Sequence, residues 1–151
     1  MTNILLISVK TLKEQYLLDE NLDEKYIIAN IRKGQDFMIR PLLGDLLYDQ
    51  LISAVNMGEV TPEFQTLIET YIHPVLSYYT MSELIYNTSW KMKNQLEGST
   101  NMEELYKLSG HYRKDADRYA RILKEYLCDS TVLVTDSEGM KEVYKTGLYL
   151  D

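Results

Sequence analysis

Residue types that often carry chemistry are scarce in this chain, which has two histidines and one cysteine. His73 and His111 do not combine with Cys128 in any zinc-binding spacing. His73 precedes a proline, so we expect it to cap or pack, and we expect His111 to lie on the surface. We interpret Cys128, near the end of a predicted helix, as a small buried or half-buried apolar residue rather than a reactive thiol. A single cysteine excludes an intrachain disulfide.

Carboxylates are the other candidates for chemistry. Asp45 and Asp49 lie one helical turn apart and could together hold a metal ion, but solvated helix faces carry such pairs routinely. The acidic residues at 19–24 lack the alternating oxygen ligands of a calcium loop. The glycines form no phosphate-binding motif, and no serine stands in a nucleophile elbow. The sequence therefore predicts no catalytic residue, no cofactor site and no metal site, and we expect a protein that is not an enzyme.

Length and charge narrow the class of protein. A chain of 151 residues has room for one domain with a real core. The net charge of −7 argues against wrapping nucleic acid, because phosphate binding needs clustered cations. Residues 41–90 contain six acidic side chains and no Lys or Arg, whereas residues 91–127 contain eight basic and six acidic ones. Either these are ordinary solvated faces, or acidic and basic surfaces meet within one subunit or between neighbours.

The first half of the chain shows repeated helix signals. Capping patterns predict that one helix starts at Thr11 and runs to about Leu18, and that another starts at Asn21. Apolar residues at helical spacing extend the second helix to Pro41. We expect the helix to end there, because the residue before a proline disfavours the α conformation. A corner at Gly44 then leads into a third helix.

Two longer helical stretches follow. Thr61 with Pro62 is a typical helix start. Periodicity then continues past Pro74 to about Leu96, which predicts either one helix bent at the proline or a kinked pair. A last helix, capped at Asn101, carries an apolar stripe of Leu105, Leu108, Tyr112, Ala116, Tyr119, Ala120, Leu123 and Leu127.

Together these elements predict an all-α fold. We expect a bundle of about five to six helices over residues 1–128, followed by an extended or hairpin C-terminal arm over residues 129–151. Residues 131–135 have the composition of a strand and residues 136–139 that of a turn. The arm is too apolar to be left in water, so we expect it to dock on another surface. No apolar run approaches the ~18 residues of a membrane helix, and we expect no signal peptide, because the first residues show neither a basic leader nor a small-residue cleavage site.

The most unusual feature of the composition is thirteen tyrosines against two phenylalanines and one tryptophan. Tyrosine combines a large contact area with a polar tip, which suits half-buried and interface positions. The tyrosines of the helices either line the edge of the core or meet another subunit. The residues that we predict at an interface are Tyr112, Tyr119 and Tyr126 in the last helix and Leu148, Tyr149 and Leu150 in the arm.

The segment from Gly34 to Tyr48, G-Q-D-F-M-I-R-P-L-L-G-D-L-L-Y, resembles a motif of the head–tail connector (adaptor) proteins of tailed bacteriophages. The likeness is to those of crAss-like phages and their relatives infecting Bacteroidetes in particular. The chain is also similar to these proteins in its "IS…L" opening, its helical layout, its length and its aromatic-rich tail. The recognisable motif covers about fifteen residues, and the similarity in layout covers most of the chain.

The resemblance implies a virion protein of the head–tail junction, made in the host cytoplasm. Such proteins form a ring, usually of about twelve subunits, beneath the portal vertex. The implied partners are other copies of the chain, the portal protein, and adjacent tail or ring proteins. DNA would pass through the lumen without specific binding, and no membrane is involved. The alternative is a stand-alone helical protein-binding or regulatory module.

Overall fold

The structure, a computed structural model, describes residues 4–16, 22–95 and 102–129, without the side chains of 87–95 and 102. The described residues form an all-α fold of five helical rods, as predicted, and include no strand. The predicted arm lies outside the described residues apart from Asp129. The elements are α1 (Val9–Gln15), α2 (Glu24–Gly34), a first π-helical segment (Gln35–Ile39), α3 (Arg40–Leu43), α4 (Asp45–Met57), α5 (Pro62–Thr66), a second π-helical segment (Leu67–Ile72), α6 (His73–Gln95) and α7 (Met102–Asp129).

The first two helices begin at caps other than those predicted. The Ser8 hydroxyl accepts a hydrogen bond from the Thr11 N–H at 3.0 Å, so α1 starts three residues earlier than expected. Asp23 caps α2 in the same way through the Lys25 N–H, two residues after the predicted start at Asn21, which lies outside the described residues. Ser, Thr, Asn and Asp all cap helices well. Where several stand close together, tertiary packing chooses among them, and here α1 is placed so that Leu12 is fully buried.

Neither internal proline ends a helix, which corrects the expectation for Pro41. The N–H of Arg40 reaches back five residues to the Gln35 carbonyl, and a π-helical turn therefore comes just before the proline. In an α-helix a proline clashes with the carbonyl four residues back and cannot donate a hydrogen bond to it. In the π turn the hydrogen bond before the proline reaches five residues back instead of four. The same arrangement precedes Pro74, where helix continues from residue 62 to 95. This continuity matches one of the two forms predicted for that stretch.

Two glycines with positive φ delimit α4. Gly44 has φ 81° and ψ 153° and joins α3 to α4 at the predicted corner. Gly58 has φ 71° and ψ 19°, and its N–H bonds the Val55 carbonyl while the N–H of Glu59 bonds the Ala54 carbonyl. This pair of bonds is a Schellman motif, which satisfies carbonyls that the helix end leaves without donors. Thr61 then caps α5 through the Phe64 N–H at 3.2 Å.

The core lies between α2, α6 and the antiparallel α7, with α4 and the N-terminal segment closing it. α2 passes so close to α6 that a Cβ on Gly34 would lie 2.9 Å from Tyr79 Cδ1 and 3.0 Å from Leu76 Cδ2. Between α6 and α7, the Ser109 hydroxyl donates to the Ser82 carbonyl at 3.0 Å. Fully buried side chains include Ile7, Leu12, Ile27, Ile31, Ile39, Leu51, Leu67, Ile72, Leu76, Leu123 and Leu127.

Two residues of α7 do not lie where the sequence placed them. Cys128 is exposed, not buried or half-buried, because its neighbour Leu127 occupies the inward position of the last turn. Leu108 is likewise exposed, and Ser109 is buried in its place. No helix of the described residues is long and apolar enough to cross a membrane.

Candidate interaction surface

The first notable site is the set of polar bonds made by the motif at residues 34–48, and these bonds are structural. Buried Gln35 accepts a hydrogen bond from the Leu6 N–H at 2.7 Å and donates to the Ile4 carbonyl at 3.0 Å and to the Tyr48 hydroxyl at 3.3 Å. His73 Nε2 lies 2.9 Å from the Leu6 carbonyl and donates to it. The side chains of Gln35 and His73 thus hold the backbone of the N-terminal segment, which matches the expectation that His73 packs.

The carboxylate pair considered as a metal site is occupied by an arginine. Arg40 contacts Asp45 at 3.2 Å and Asp49 at 3.4 Å, and its guanidinium lies 5.0 Å from the centre of the Tyr48 ring. All three charged groups are largely exposed, so the pairs stabilise the corner only modestly. Within the described ranges, no group of three or more His, Cys, Asp or Glu side chains is placed to hold a metal ion.

The acidic middle of the chain and the basic last helix meet inside the subunit at Glu83. This carboxylate, whose side chain is only 16% exposed, contacts Lys33 of α2 at 2.9 Å and Arg113 of α7 at 3.7 Å. Its hydrogen bond raises the pKa of Lys33. The Arg113 guanidinium also lies 4.7 Å from the centre of the Tyr79 ring. Glu83 therefore ties three helices together. The other five acidic residues of this stretch are exposed, as expected for ordinary solvated faces.

Six tyrosines from two helical rods and the end of α1 make ring contacts with one another, and we call them the tyrosine cluster: Tyr16, Tyr71, Tyr78, Tyr112, Tyr119 and Tyr126. Tyr71 stacks on Tyr126 with ring centres 3.9 Å apart, and Tyr78 stacks on Tyr119 at 5.4 Å. Tyr78 also lies 6.2 Å from Tyr112 and 5.9 Å from Tyr16, which meets it edge-on. Because the contacts step by seven residues in opposite directions along α6 and α7, the rings form a ladder between antiparallel helices.

Burial changes the pKa of two tyrosines in this ladder. Desolvation raises the pKa of Tyr78 and of Tyr16, and neighbouring phenols add to the effect. The hydroxyls of Tyr16 and Tyr78 therefore stay protonated over the whole physiological range and can donate as well as accept. A ladder of amphipathic rings at the edge of a bundle is suited to contact with protein.

The three predicted helical interface residues lie on one flank of α7, beside two exposed aliphatic side chains. We call this flank the outer seam: Leu108, Tyr112, Asp115, Tyr119, Ile122 and Tyr126. Leu108 is 42% and Ile122 46% exposed, and nothing in the described part of the chain covers them. The residues are spaced alternately by four and three, as in a heptad seam. At about 100° per residue, the seam lies about 90° around the helix from the inward stripe of Ser109, Ala116 and Leu123.

The structure brings together three of the six residues that the sequence analysis predicted at an interface. Tyr112, Tyr119 and Tyr126 share one flank, while Leu148, Tyr149 and Leu150 lie outside the described residues. The sequence analysis missed Ile122, and it assigned Leu108 to the core. The 4-3-4-3-4 spacing from Leu108 to Tyr126 was the signal that could have revealed a second apolar flank on α7.

Comparison with known protein families gives this bundle a family but no activity. The chain belongs to a family of unknown function, DUF6712, whose model matches residues 39–141. The match includes the corner at Gly44 and the α6–α7 hairpin, and it begins after Gln35. No curated protein and no solved structure matches the chain.

Proposed function

We propose that this protein is a structural subunit of a phage head–tail connector, which forms a ring with other copies between the portal vertex and the tail. The observation that carries the proposal is the structural use of the motif at residues 34–48. Gln35 is buried and hydrogen-bonded, Ile39 and Tyr48 are buried, Gly44 makes the corner, and Arg40 is held by two aspartates. A motif that resembles one of connector proteins and that builds the interior of the bundle supports an architectural role.

The surface of the bundle supports a role in assembly. The outer seam presents aromatic and aliphatic side chains on a helix that is fixed against α6 by the tyrosine cluster and by the Ser109–Ser82 bond. Exposed tyrosine-rich patches on rigid elements are typical of protein–protein contacts. A neighbouring subunit, the portal protein or a tail protein would bind this flank. The interface role of Tyr112, Tyr119 and Tyr126 is part of this proposal.

Native mass spectrometry tests the proposal. The protein is measured alone and then with the portal protein encoded in the same genome. A species of about twelve subunits, or stoichiometric capture by the portal, is the expected result. A protein that neither assembles into a ring nor binds the portal would leave the alternative, a stand-alone helical binding or regulatory module, and the likeness at residues 34–48 would be only a shared corner.

A further inference from the structure

From the outer seam we infer that the free protein associates with a second copy of itself through α7, in an antiparallel, two-fold symmetric contact. This inference does not depend on the connector assignment. Leu108 and Ile122 are the exposed aliphatic residues of α7, and both belong to the seam. The seam extends from residue 108 to residue 126, about 27 Å along α7. Tyr71 and Tyr78 stack on its tyrosines from the side of α6, while Leu108 and Ile122 stay exposed.

The sequence of the seam favours an antiparallel partner. Its two alternating positions are occupied by different residue types, with tyrosine at Tyr112, Tyr119 and Tyr126 and with Leu, Asp and Ile at the other three. In an antiparallel pair each tyrosine faces one of the smaller residues, whereas a parallel pair would stack tyrosine on tyrosine and place Asp115 against its own copy. Facing carboxylates in a closing interface are unfavourable, so the antiparallel orientation is preferred.

One register uses the whole seam. When the two-fold axis passes beside residue 117, Leu108 faces the partner's Tyr126, Tyr112 faces the partner's Ile122, and Asp115 faces the partner's Tyr119. A slip of one heptad in either direction leaves at least one of the end residues without a partner. Burial of a large apolar side chain stabilises a contact more than an exposed ion pair does. Apolar overlap therefore decides the register.

Charges at the axis agree with that register. Arg118 contacts Asp115 of its own helix at 3.3 Å, and the two residues flank position 117. In the pair, two Asp115 carboxylates and two Arg118 guanidinium groups would alternate around the axis, with no net charge. The Tyr119 hydroxyl can also donate to the partner's Asp115.

The direction of the seam is compatible with the rest of the bundle. Because the seam lies about 90° from the face that packs on α6, a second α7 fits beside the first without displacing α6. The result is a square of four helices, α6 and α7 from each copy, as in a four-helix bundle. A contact of one helix per copy is at the small end of protein interfaces, so the dimer is concentration-dependent. A two-fold contact closes at two copies and cannot propagate a ring, so it must open before the seam binds a virion neighbour.

Sedimentation velocity of the full chain, from micromolar to near-millimolar concentration, tests the inference. We expect a monomer–dimer equilibrium. Leu108→Ser and Ile122→Ser should each weaken it roughly tenfold or more. Tyr106→Ser is the matched control, because Tyr106 is an exposed apolar residue on the other flank of α7, and it should leave the equilibrium unchanged. Circular dichroism confirms that each variant is folded.

Charge exchange tests the register independently of apolar burial. Asp115→Arg alone places four positive charges at the axis, and Arg118→Asp alone places four negative ones, so each should abolish the dimer. The double variant restores alternating charges and should restore the dimer. A monomer at every concentration, an effect of Tyr106→Ser equal to that of Ile122→Ser, or no rescue in the folded double variant would each overturn the inference. The same variants assayed for portal capture show separately whether the connector proposal holds.

Discussion

Two stretches of the chain share a pattern but lead to different structures. Residues 39–43 (I-R-P-L-L) and residues 72–76 (I-H-P-V-L) each place a proline two residues after a buried isoleucine and two before a buried leucine. In both, a π-helical segment ends at the isoleucine, and the N–H of the residue before the proline reaches five residues back. In the first stretch the helix ends at Gly44, whereas in the second it continues to Gln95.

The residue three positions after the proline accounts for the difference. Gly44 adopts φ 81° and ψ 153°, which turns the chain into α4. At the equivalent place Ser77 stays helical, and its hydroxyl donates to the His73 carbonyl at 2.6 Å. The residues before the prolines differ as well, since Arg40 lies outside among aspartates and His73 lies inside against Leu6. A proline preceded by a π turn is thus compatible with a helix, and the local residues that follow decide whether the helix ends.

The largest expected effect comes from removing the polar anchor of the first stretch. Gln35→Met keeps the volume but leaves the Leu6 N–H and the Ile4 carbonyl without partners, so we expect the free energy of unfolding to fall by about 2–4 kcal/mol. Urea denaturation measures the change. Asp36→Asn, at the exposed next position, is the control and should stay within about 0.5 kcal/mol of the native protein. Equal stability of the two variants would show that the N-terminal segment is not held by Gln35.

The glycine that separates the two stretches gives the next largest effect. Gly44 occupies a backbone region that is almost restricted to glycine, so Gly44→Ala should lower stability by about 1–3 kcal/mol, although its Cβ would meet no atom within 4 Å. Gly58 lies in the left-handed helical region, which asparagine tolerates. Thermal denaturation should therefore show a mild effect for Gly58→Asn and a larger one for Gly44→Asn. The reverse order would contradict the assigned backbone angles.

Of the two stretches, only the second contains a histidine, and lowering the pH should reduce the stability of the protein through His73. Burial lowers the pKa of His73 below 6.5, although its hydrogen bond to Leu6 and the charge of Glu69 oppose the shift. Because the unfolded chain then binds a proton that the folded chain resists, stability falls as the pH drops through 6.5 and levels off below the folded-state pKa. Urea midpoints measured between pH 7.5 and 5.5 should show this slope in the native protein and in His111→Gln, whose site is exposed. The slope should be smaller in His73→Gln, and an unchanged slope there would assign the proton to another group.

The smallest effect is expected at Arg40, the counterpart of His73 in the first stretch. Its pairs with Asp45 and Asp49 are exposed, so Arg40→Gln should cost less than about 1 kcal/mol, and the difference should shrink further in high salt. Denaturation at low and high salt measures this difference. A loss as large as that of Gln35→Met would mean that the corner depends on its charges more than on the buried residues around it.

Local patterns allowed much of the fold to be predicted. The all-α class, the corner at Gly44, the start at Thr61 and the continuation past Pro74 follow from spacing and from residues whose backbone preferences are strong. Pro41 failed as a stop signal, because a π turn accommodates it and no pattern announces that turn. Among neighbouring Ser, Thr, Asn and Asp residues, propensity alone could not choose the cap that packing selects.

The candidate surface was predictable only in part. The sequence placed Tyr112, Tyr119 and Tyr126 on one flank, because residues seven apart return to the same side of a helix. It could not show that Tyr71 and Tyr78 stack on them, since that pairing depends on the register of α6 against α7. The Ser82–Ser109 hydrogen bond joins α6 to α7 in this register.

The sequence by itself determined the helices, the corner and the tyrosine-rich composition of α7, because these depend on interactions over a few residues. Tertiary structure decided which side of each helix faces inward. α7 carries apolar residues around more than half of its circumference, and packing against α6 buried Ser109 while leaving Leu108 and Ile122 exposed. Such a choice depends on side chains that are distant in sequence, and periodicity along one helix contains no information about them.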